Sequence, residues 1–267
     1  MDRKRIDKRI MTMNVSVNGF RDTTTNPSRI QLAMQILYFA KTNQIDCICF
    51  PAGFLISRNI TQIRSLLVPM TRVARKLQIS FVLGIDGSGI MQLPIDANSP
   101  EFLRVVEKQK MPCFLFSFNA MTNKSSLIRQ RSCTGEHARR KIVPDNIMTT
   151  PRTMDLGGAS FQIIFCGEVY DRRLFAEAMP KAGVIFGHRT MPRLSKTMSA
   201  CSRRGFSLVN SEHRSGLNGL LFCYDRGINK SKPCNGNIVV HDELWAEIAI
   251  WKLNAKGRFS RAHSHRI

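Results

Sequence analysis

The chain contains 267 residues, 43% of them hydrophobic, which is enough to build the core of one large domain. No run reaches the roughly 18 uncharged apolar residues that a membrane helix needs. No apolar segment with a small-residue cleavage site follows the charged start of the chain, so the sequence argues against a secreted protein. We therefore expect a cytoplasmic location without a membrane anchor.

The formal net charge of +21 leaves two interpretations open. A strongly basic protein can bind nucleic acid or another polyanion. The basic residues are spread over separate runs with few aromatic side chains among them, which is also typical of a solvated basic surface. These runs are residues 3–9, 129–141, 189–204 and 252–266.

The eight cysteines lie mostly within apolar runs and do not form a spaced framework. Without an export signal we expect reduced thiols and no disulfide bonds. Cys133 and His137 are four residues apart, but no second pair at ligand spacing accompanies them. We therefore expect neither a metal nor another cofactor.

The first half of the chain alternates predicted strands and helices. Asn26 followed by Pro27 predicts a helix start, with asparagine as the N-cap and proline in the first turn. Pro69 should kink the second helix. Strand, helix and strand in this order imply a β-α-β unit with parallel or mixed pairing. The predicted strands are residues 10–17, 46–51 and 79–85, and the predicted helices are residues 26–40 and 60–77.

The second half predicts a hairpin, a long irregular stretch and further strands around one helix. The irregular stretch, residues 139–158, is long enough to indicate a functional loop or disorder. We assign one domain to residues 1–253 and a basic, flexible tail to residues 254–267. The predicted strands are residues 113–119, 125–131, 161–165, 183–187, 206–211, 220–224, 238–240 and 244–251, with a helix at residues 196–204.

Cys166 occupies a junction between a predicted strand and a predicted helix. The apolar run 161–165 reads as a buried strand, and residues 170–181 carry apolar side chains at helical spacing. A turn between strand and helix is a common place to hold a nucleophile above a pocket. The alternative is a buried cysteine that only packs in the core.

Four stretches, in their order along the chain, resemble the carbon–nitrogen hydrolase (nitrilase/amidase) superfamily. Residues 45–54 are similar to the family segment that ends in Phe-Pro-Glu, and residues 139–144 are similar to its Arg-Lys-x-x-Leu-Pro motif. Residues 161–171 resemble the strand that ends in Cys-x-Glu/Asp, and residues 198–213 resemble the helix and strand that follow the nucleophile. The resemblance implies a four-layer α-β-β-α sandwich.

The resemblance also implies the roles of three site residues. Cys166 would be the nucleophile that forms a thioester with an amide or nitrile carbon, and Lys141 would stabilise the oxyanion. Glu168 falls on the family carboxylate that follows the nucleophile. We expect Glu168 to shape the pocket wall or the local structure.

The general base of the family is missing, because Ala52 stands where the resemblance places a glutamate. No second glutamate lies between the lysine motif and Cys166. Losing a positioned acid–base typically costs roughly 10²–10⁴ in rate. The candidates for a replacement are Glu136, His137 and Glu212.

These observations leave three functions open. The first is a divergent carbon–nitrogen hydrolase that acts on a small amide or nitrile. The second is an inactive relative that binds a ligand or serves as a scaffold, and the third is a polyanion-binding protein on this fold. The resemblance implies a homo-oligomer, and the predicted pocket loops are residues 56–60, 86–100 and 188–196.

Overall fold

The computed structural model describes residues 7–16, 23–57, 60–86, 113–130, 152–170, 181–188, 194–213, 221, 223–225, 228–229 and 238–262. Strands supply most of the regular structure in these ranges. The α-helices are α1 (Asn26–Thr42), α2 (Ile60–Leu77) and α3 (Leu194–Arg203). The strands are β1 (Lys8–Ser16), β2 (Cys47–Cys49), β3 (Leu55–Ile56), β4 (Ser80–Asp86), β5 (Cys113–Asn119), β6 (Lys124–Arg129), β7 (Thr153–Asp155), β8 (Ser160–Phe165), β9 (Ala182–Gly187), β10 (Ser207–His213), β11 (Cys223–Asp225), β12 (Ile228–Asn229), β13 (Ile238–His241), β14 (Leu244–Leu253) and β15 (Phe259–Arg261).

The strands form one continuous curled sheet whose main path is β6-β5-β4-β2-β1-β10-β9-β8-β7. The central strand β1 pairs in parallel with β2 and β10, and in antiparallel fashion with β14. The parallel β1–β2 and β2–β4 pairs, with α1 and α2 as their connections, confirm the predicted β-α-β pattern.

Three apolar clusters separate four layers. The first packs α1 and α2 against the half of the sheet that contains β4, and the second fills the space between the two halves. The third packs α3 against the other half, which contains β8 and β9. Neighbouring side chains of β8 pack in different clusters: Ile163 belongs to the second cluster and Ile164 to the third. The predicted α-β-β-α sandwich is confirmed.

The start of α1 differs from the prediction by one residue. Thr25 is the N-cap, and Asn26 lies inside the helix. The side chain of Asn26 instead binds both backbone groups of Ile56, accepting from its N–H and donating to its C=O. Asn26 therefore attaches α1 to the segment that precedes α2.

Three residues of the predicted C-terminal tail, Phe259–Arg261, belong to the sheet. Strand β15 pairs with β14, and Ala262 donates its N–H to the carbonyl of Ile250. Residues 254–262 thus form a turn and a strand, while residues 263–267 lie outside the described residues. The division into one domain and a tail stays a prediction.

Two expectations, about membrane helices and about the cysteines, can be compared with the described residues. No helix in the described part of the chain is long and apolar enough to cross a membrane. The cysteines within the described ranges are free thiols, namely Cys47, Cys49, Cys113, Cys166, Cys201 and Cys223.

Candidate functional site

Cys166 directly follows the last residue of β8. Its backbone N–H donates to the carbonyl of Phe186 in β9 at 2.9 Å, which fixes the strand end against its neighbour. A short 3₁₀-helix, Glu168–Tyr170, comes next. The cysteine is 7% exposed, and its Sγ lies 3.9 Å from Nδ1 of His188.

His188 follows β9 as Cys166 follows β8. Because β8 and β9 are parallel neighbours, their carboxyl ends share one edge of the sheet and the two side chains meet there. On the opposite side of the ring, His188 Nε2 lies 2.8 Å from Oδ1 of Asp86, the last residue of β4. A carboxylate only accepts hydrogen bonds, so Nε2 is the donor of this bond. The half of the sheet containing β4 thus supplies the carboxylate, and the other half supplies the thiol and the imidazole.

The charges of this pair support each other. Burial alone would raise the pKa of the Asp86 carboxyl, but the neighbouring His188 lowers it below its ordinary value. Burial alone would lower the pKa of His188, but the Asp86 carboxylate and Cys113 raise it well above its ordinary value. The side chain of Asp86 is 3% exposed and that of His188 is 22% exposed, so solvent reaches the ring and not the carboxylate.

Cys113 completes a small cluster around Asp86. The two residues are register partners in the antiparallel β4–β5 pair, and their side chains hydrogen-bond. Burial, followed by the Asp86 carboxylate, raises the pKa of Cys113 to about 11, so this thiol stays protonated at neutral pH. The donor atoms of Asp86, Cys113 and His188 lie within 4.8 Å of one another, and no other set of three such groups occurs in the described ranges. Asp86 and His188 are hydrogen-bonded to each other within this cluster.

The segment that carries Ala52 lies directly against Asp86. Gly84 N donates to the carbonyl of Pro51 at 3.1 Å, and Ser57 N donates to the carbonyl of Asp86 at 3.0 Å. Gly53 has a φ of +67°, and a Cβ at this position would lie 2.8 Å from Oδ2 of Asp86. Only glycine fits this turn without strain or a clash. The Asp86 carboxylate therefore borders the segment in which the sequence resemblance places a glutamate and this chain has Ala52.

Arg29 holds this segment from the helix side. Its Nη1 donates to the carbonyls of Phe54 at 2.9 Å and Gly53 at 3.3 Å, and its Nε donates to Thr25 Oγ1 at 2.8 Å. Burial, together with the charges of Arg29 and His188, lowers the pKa of His213 to about 3. His213 is therefore neutral at physiological pH and adds no charge to the cluster.

Glu168 contacts Arg152 and the end of β8. Its carboxylate forms an ion pair with Arg152 and accepts the backbone N–H of Phe165 at 3.1 Å. The side chain is only 2% exposed. These contacts attach the turn after Cys166 to the end of β8.

The remaining predicted candidates fall elsewhere. Lys141, Glu136 and His137 lie outside the described residues. Glu212 is buried in β10, opposite Gly187 of β9 and next to Asn14 of β1.

The residues of the cluster beside the thiol were not identified as site residues from the sequence. They are His188, which faces the sulfur, and Asp86, Cys113 and His213, which interact with His188. A usable signal was present, because Asp86 and His188 each follow an apolar strand and each begins a predicted pocket loop. Parallel strand ends gather at one edge, which would have brought these loops to Cys166.

Solved structures with this arrangement of layers include amidases. Neither a protein-family model nor a curated protein sequence matches the chain. The amidase from Nesterenkonia sp. is 14% identical, with 94% of this chain and 91% of that chain covered and a TM-score of 0.58. A mutant of this amidase carries the acetamide moiety of fluoroacetamide, covalently added at the active-site cysteine, and matches over the same shares of both chains at the same identity and TM-score.

A second kind of enzyme shares the fold. The glutamine-dependent NAD+ synthetase from Acinetobacter baumannii is 10% identical, with a TM-score of 0.63. The match covers 97% of this chain and 48% of that chain, so this chain corresponds to about half of the synthetase. The resemblance found in the sequence is confirmed at the level of the fold, and the chain is a nitrilase-like α/β sandwich like the nitrilase-superfamily amidases.

Proposed function

We propose that the protein is a divergent carbon–nitrogen hydrolase that cleaves a small amide or nitrile through a thioester on Cys166. The observation that carries the proposal is the position of the Cys166 sulfur, 3.9 Å from an imidazole nitrogen at the end of a central strand. A thiol beside an imidazole that is oriented by a third group is the general arrangement of an activated cysteine nucleophile. Lys141 would stabilise the oxyanion, and Glu168 would brace the turn beside the nucleophile.

The fold supports the same reaction class. Its similarity to amidases shows the architecture alone, and one of these amidases carries a covalent adduct at an active-site cysteine. The surroundings of Cys166 also differ from those of an inert core thiol, because a partly exposed imidazole faces the sulfur. Binding to a polyanion and assembly into a homo-oligomer stay predictions.

Alkylation by fluoroacetamide tests the nucleophile. We expect the reagent to label Cys166 and to leave Cys201 unlabelled, as read by peptide mass spectrometry. Cys201 is a matched control because it is also 7% exposed, while burial raises the pKa of Cys201. Equal labelling of the two thiols would show that Cys166 is an ordinary buried cysteine.

Ammonia release tests the reaction. The wild-type protein should release ammonia from acetamide, propionamide or acetonitrile, and Cys166→Ala should abolish the release while Cys201→Ala retains it. Absence of release from every member of this panel, with Cys166 selectively labelled, would favour the ligand-binding alternative. Absence of both would remove the proposal.

A further inference from the structure

We infer that His188 replaces the missing glutamate as the proton-transfer group of Cys166, and that Asp86 positions and charges it. The inference rests on the proposed function for its reaction, but the His188–Cys166 pair can be tested without turnover. The residue at the family base position, Ala52, has no group that binds a proton and is fully buried. His188 and Asp86 lie on none of the four stretches that carry the family resemblance.

The geometry gives each nitrogen of the ring a separate partner. Nδ1 faces the Cys166 sulfur at 3.9 Å, and Nε2 donates to Asp86 Oδ1 at 2.8 Å. The bond to Asp86 keeps a proton on Nε2 and leaves Nδ1, in the neutral ring, as an acceptor facing the thiol. The carboxylate thus sets the tautomer that proton transfer from Cys166 requires.

The groups packed around His188 favour its protonated form. Within the described ranges they are Asp86 of β4, Cys113 of β5, Cys166 after β8 and His213 of β10, with Arg29 of α1 behind His213. At neutral pH Cys113 is a neutral thiol and His213 a neutral ring, so the Asp86 carboxylate is the anion that stabilises an imidazolium. An imidazolium beside the sulfur favours the thiolate.

Cys166 and His188 together account for every proton that moves in the two half-reactions, which are formation and hydrolysis of the thioester. The thiolate attacks the amide carbon, a C–S bond forms, and the imidazolium gives its Nδ1 proton to the amine as the C–N bond breaks. Water then attacks the thioester and gives a proton to Nδ1, a C–O bond forms, and the C–S bond breaks to release the acid. The cysteine leaves as the thiolate beside an imidazolium, which is the starting state.

The position of Asp86 explains why a carboxylate could be lost at residue 52. Asp86 Oδ2 lies against the Gly53 turn, so a carboxylate is still present beside the segment. It acts on the sulfur through the ring of His188, which lies between the two groups. Arg29 and Asn26 fix the segment to α1 and keep this wall of the site in place.

The first experiment measures the rate of Cys166 alkylation by iodoacetamide between pH 5 and 10. We expect His188→Gln to lower the rate at pH 7 by about 10²-fold and Asp86→Asn to lower it less and to shift the pH profile, because the raised pKa of His188 depends on the carboxylate. His241→Gln is the matched control, since the side chain of His241 is 23% exposed and lies beside Asp242, yet His241 belongs to β13, which pairs with β14. Equal rates in wild type and His188→Gln would overturn the inference.

A second measurement does not depend on a folded His188 variant. The titration of the His188 ring, followed by NMR in the wild type and in Cys166→Ser, should show a lower midpoint in the variant, because the imidazolium loses its thiolate neighbour. An unchanged midpoint would overturn the inference. A second shift in Asp86→Asn would support the positioning role.

The outcomes separate the inference from the proposed function. His188-dependent alkylation without ammonia release from acetamide, propionamide or acetonitrile would support the relay and remove the hydrolase. Ammonia release that is the same in wild type and His188→Gln would support the hydrolase and remove the relay.

Discussion

Two buried carboxylates flank the candidate nucleophile, and they differ in what their cationic partners can do. Glu168 pairs with Arg152, and Asp86 pairs with His188, with 2% and 3% of the two carboxylate side chains exposed. An arginine keeps its proton throughout the physiological range, so the first pair can only brace the structure. An imidazole exchanges its proton near neutrality, so the second pair can move a proton to and from the sulfur.

The two carboxylates also show that the position of a residue in a sequence motif does not determine its contacts. Glu168 stands on the carboxylate position of the family motif, yet its contacts are with Arg152 and the backbone of Phe165. Asp86 stands outside the motifs, and its contact leads through His188 to Cys166. The contacts of each carboxylate, and not its position in a motif, distinguish the two residues.

The largest expected effect is the loss of stability when the ion pair between Glu168 and Arg152 is removed. Glu168→Ala leaves Arg152 buried without its carboxylate and the Phe165 N–H without its acceptor, and should lower the free energy of unfolding by about 3–5 kcal/mol. Urea denaturation measures the loss, with Glu243→Ala on the exposed surface as the control. A loss as small as that of the control would show that the pair does not brace the turn.

The pH dependence of stability should distinguish the two pairs. The pKa of His188 is raised above its unfolded value of about 6.5, so its contribution is complete below that pH and is lost as the pH rises through the raised pKa. The pKa of Asp86 is lowered, so its contribution is present above about pH 3.9 and is lost as the pH falls through the lowered pKa. The pair is therefore fully stabilising between about pH 4 and 6.5.

Asp86→Asn should consequently lower the free energy of unfolding by about 1.5–3 kcal/mol at pH 6 and by less as the pH rises towards 10. Glu168→Gln should show a deficit that stays constant over the same range, because Arg152 does not release its proton. Urea denaturation at a series of pH values compares the two variants. Parallel curves would contradict the assignment of a titrating pair to Asp86 and a fixed pair to Glu168.

The wall behind Asp86 can be disturbed without touching either pair. A methyl group at Gly84 would lie 2.3 Å from both the Pro51 carbonyl oxygen and the Ala52 Cα, so Gly84→Ala should cost about 1–3 kcal/mol of stability and displace the Gly53 turn. Gly183→Ala is the control, because its methyl group would meet the movable ends of Ile164 and Leu208. Equal melting temperatures for the two variants would show that the turn yields easily.

The sequence predicted the layers better than the site, for a physical reason. Apolar periodicity is a local property, and it located β8, β9, α1 and α2 as well as the position of Cys166 at a strand end. The Cys166–His188–Asp86 chain joins residues 22 and 102 positions apart, and depends on how the two halves of the sheet fold together. The strand ends at Asp86 and His188 were visible in the sequence, but their distance from Cys166 was not, and the motif resemblance directed attention to Ala52 and Glu168 instead.

The smallest expected effect concerns Cys113, the third member of the cluster. Since the pKa of Cys113 is raised to about 11, only about 0.1% of it is thiolate at pH 8, and iodoacetamide should not label it under conditions that label Cys166. Cys113→Ser keeps a hydrogen-bond donor beside Asp86, so stability should change by less than about 1 kcal/mol and the alkylation rate of Cys166 by less than about threefold. Cys113→Val removes the donor and should lower stability more than the serine variant does. A serine variant that abolished Cys166 alkylation would show that Cys113 belongs to the proton path, and the relay would then need two side chains around Asp86, His188 and Cys113, and not His188 alone.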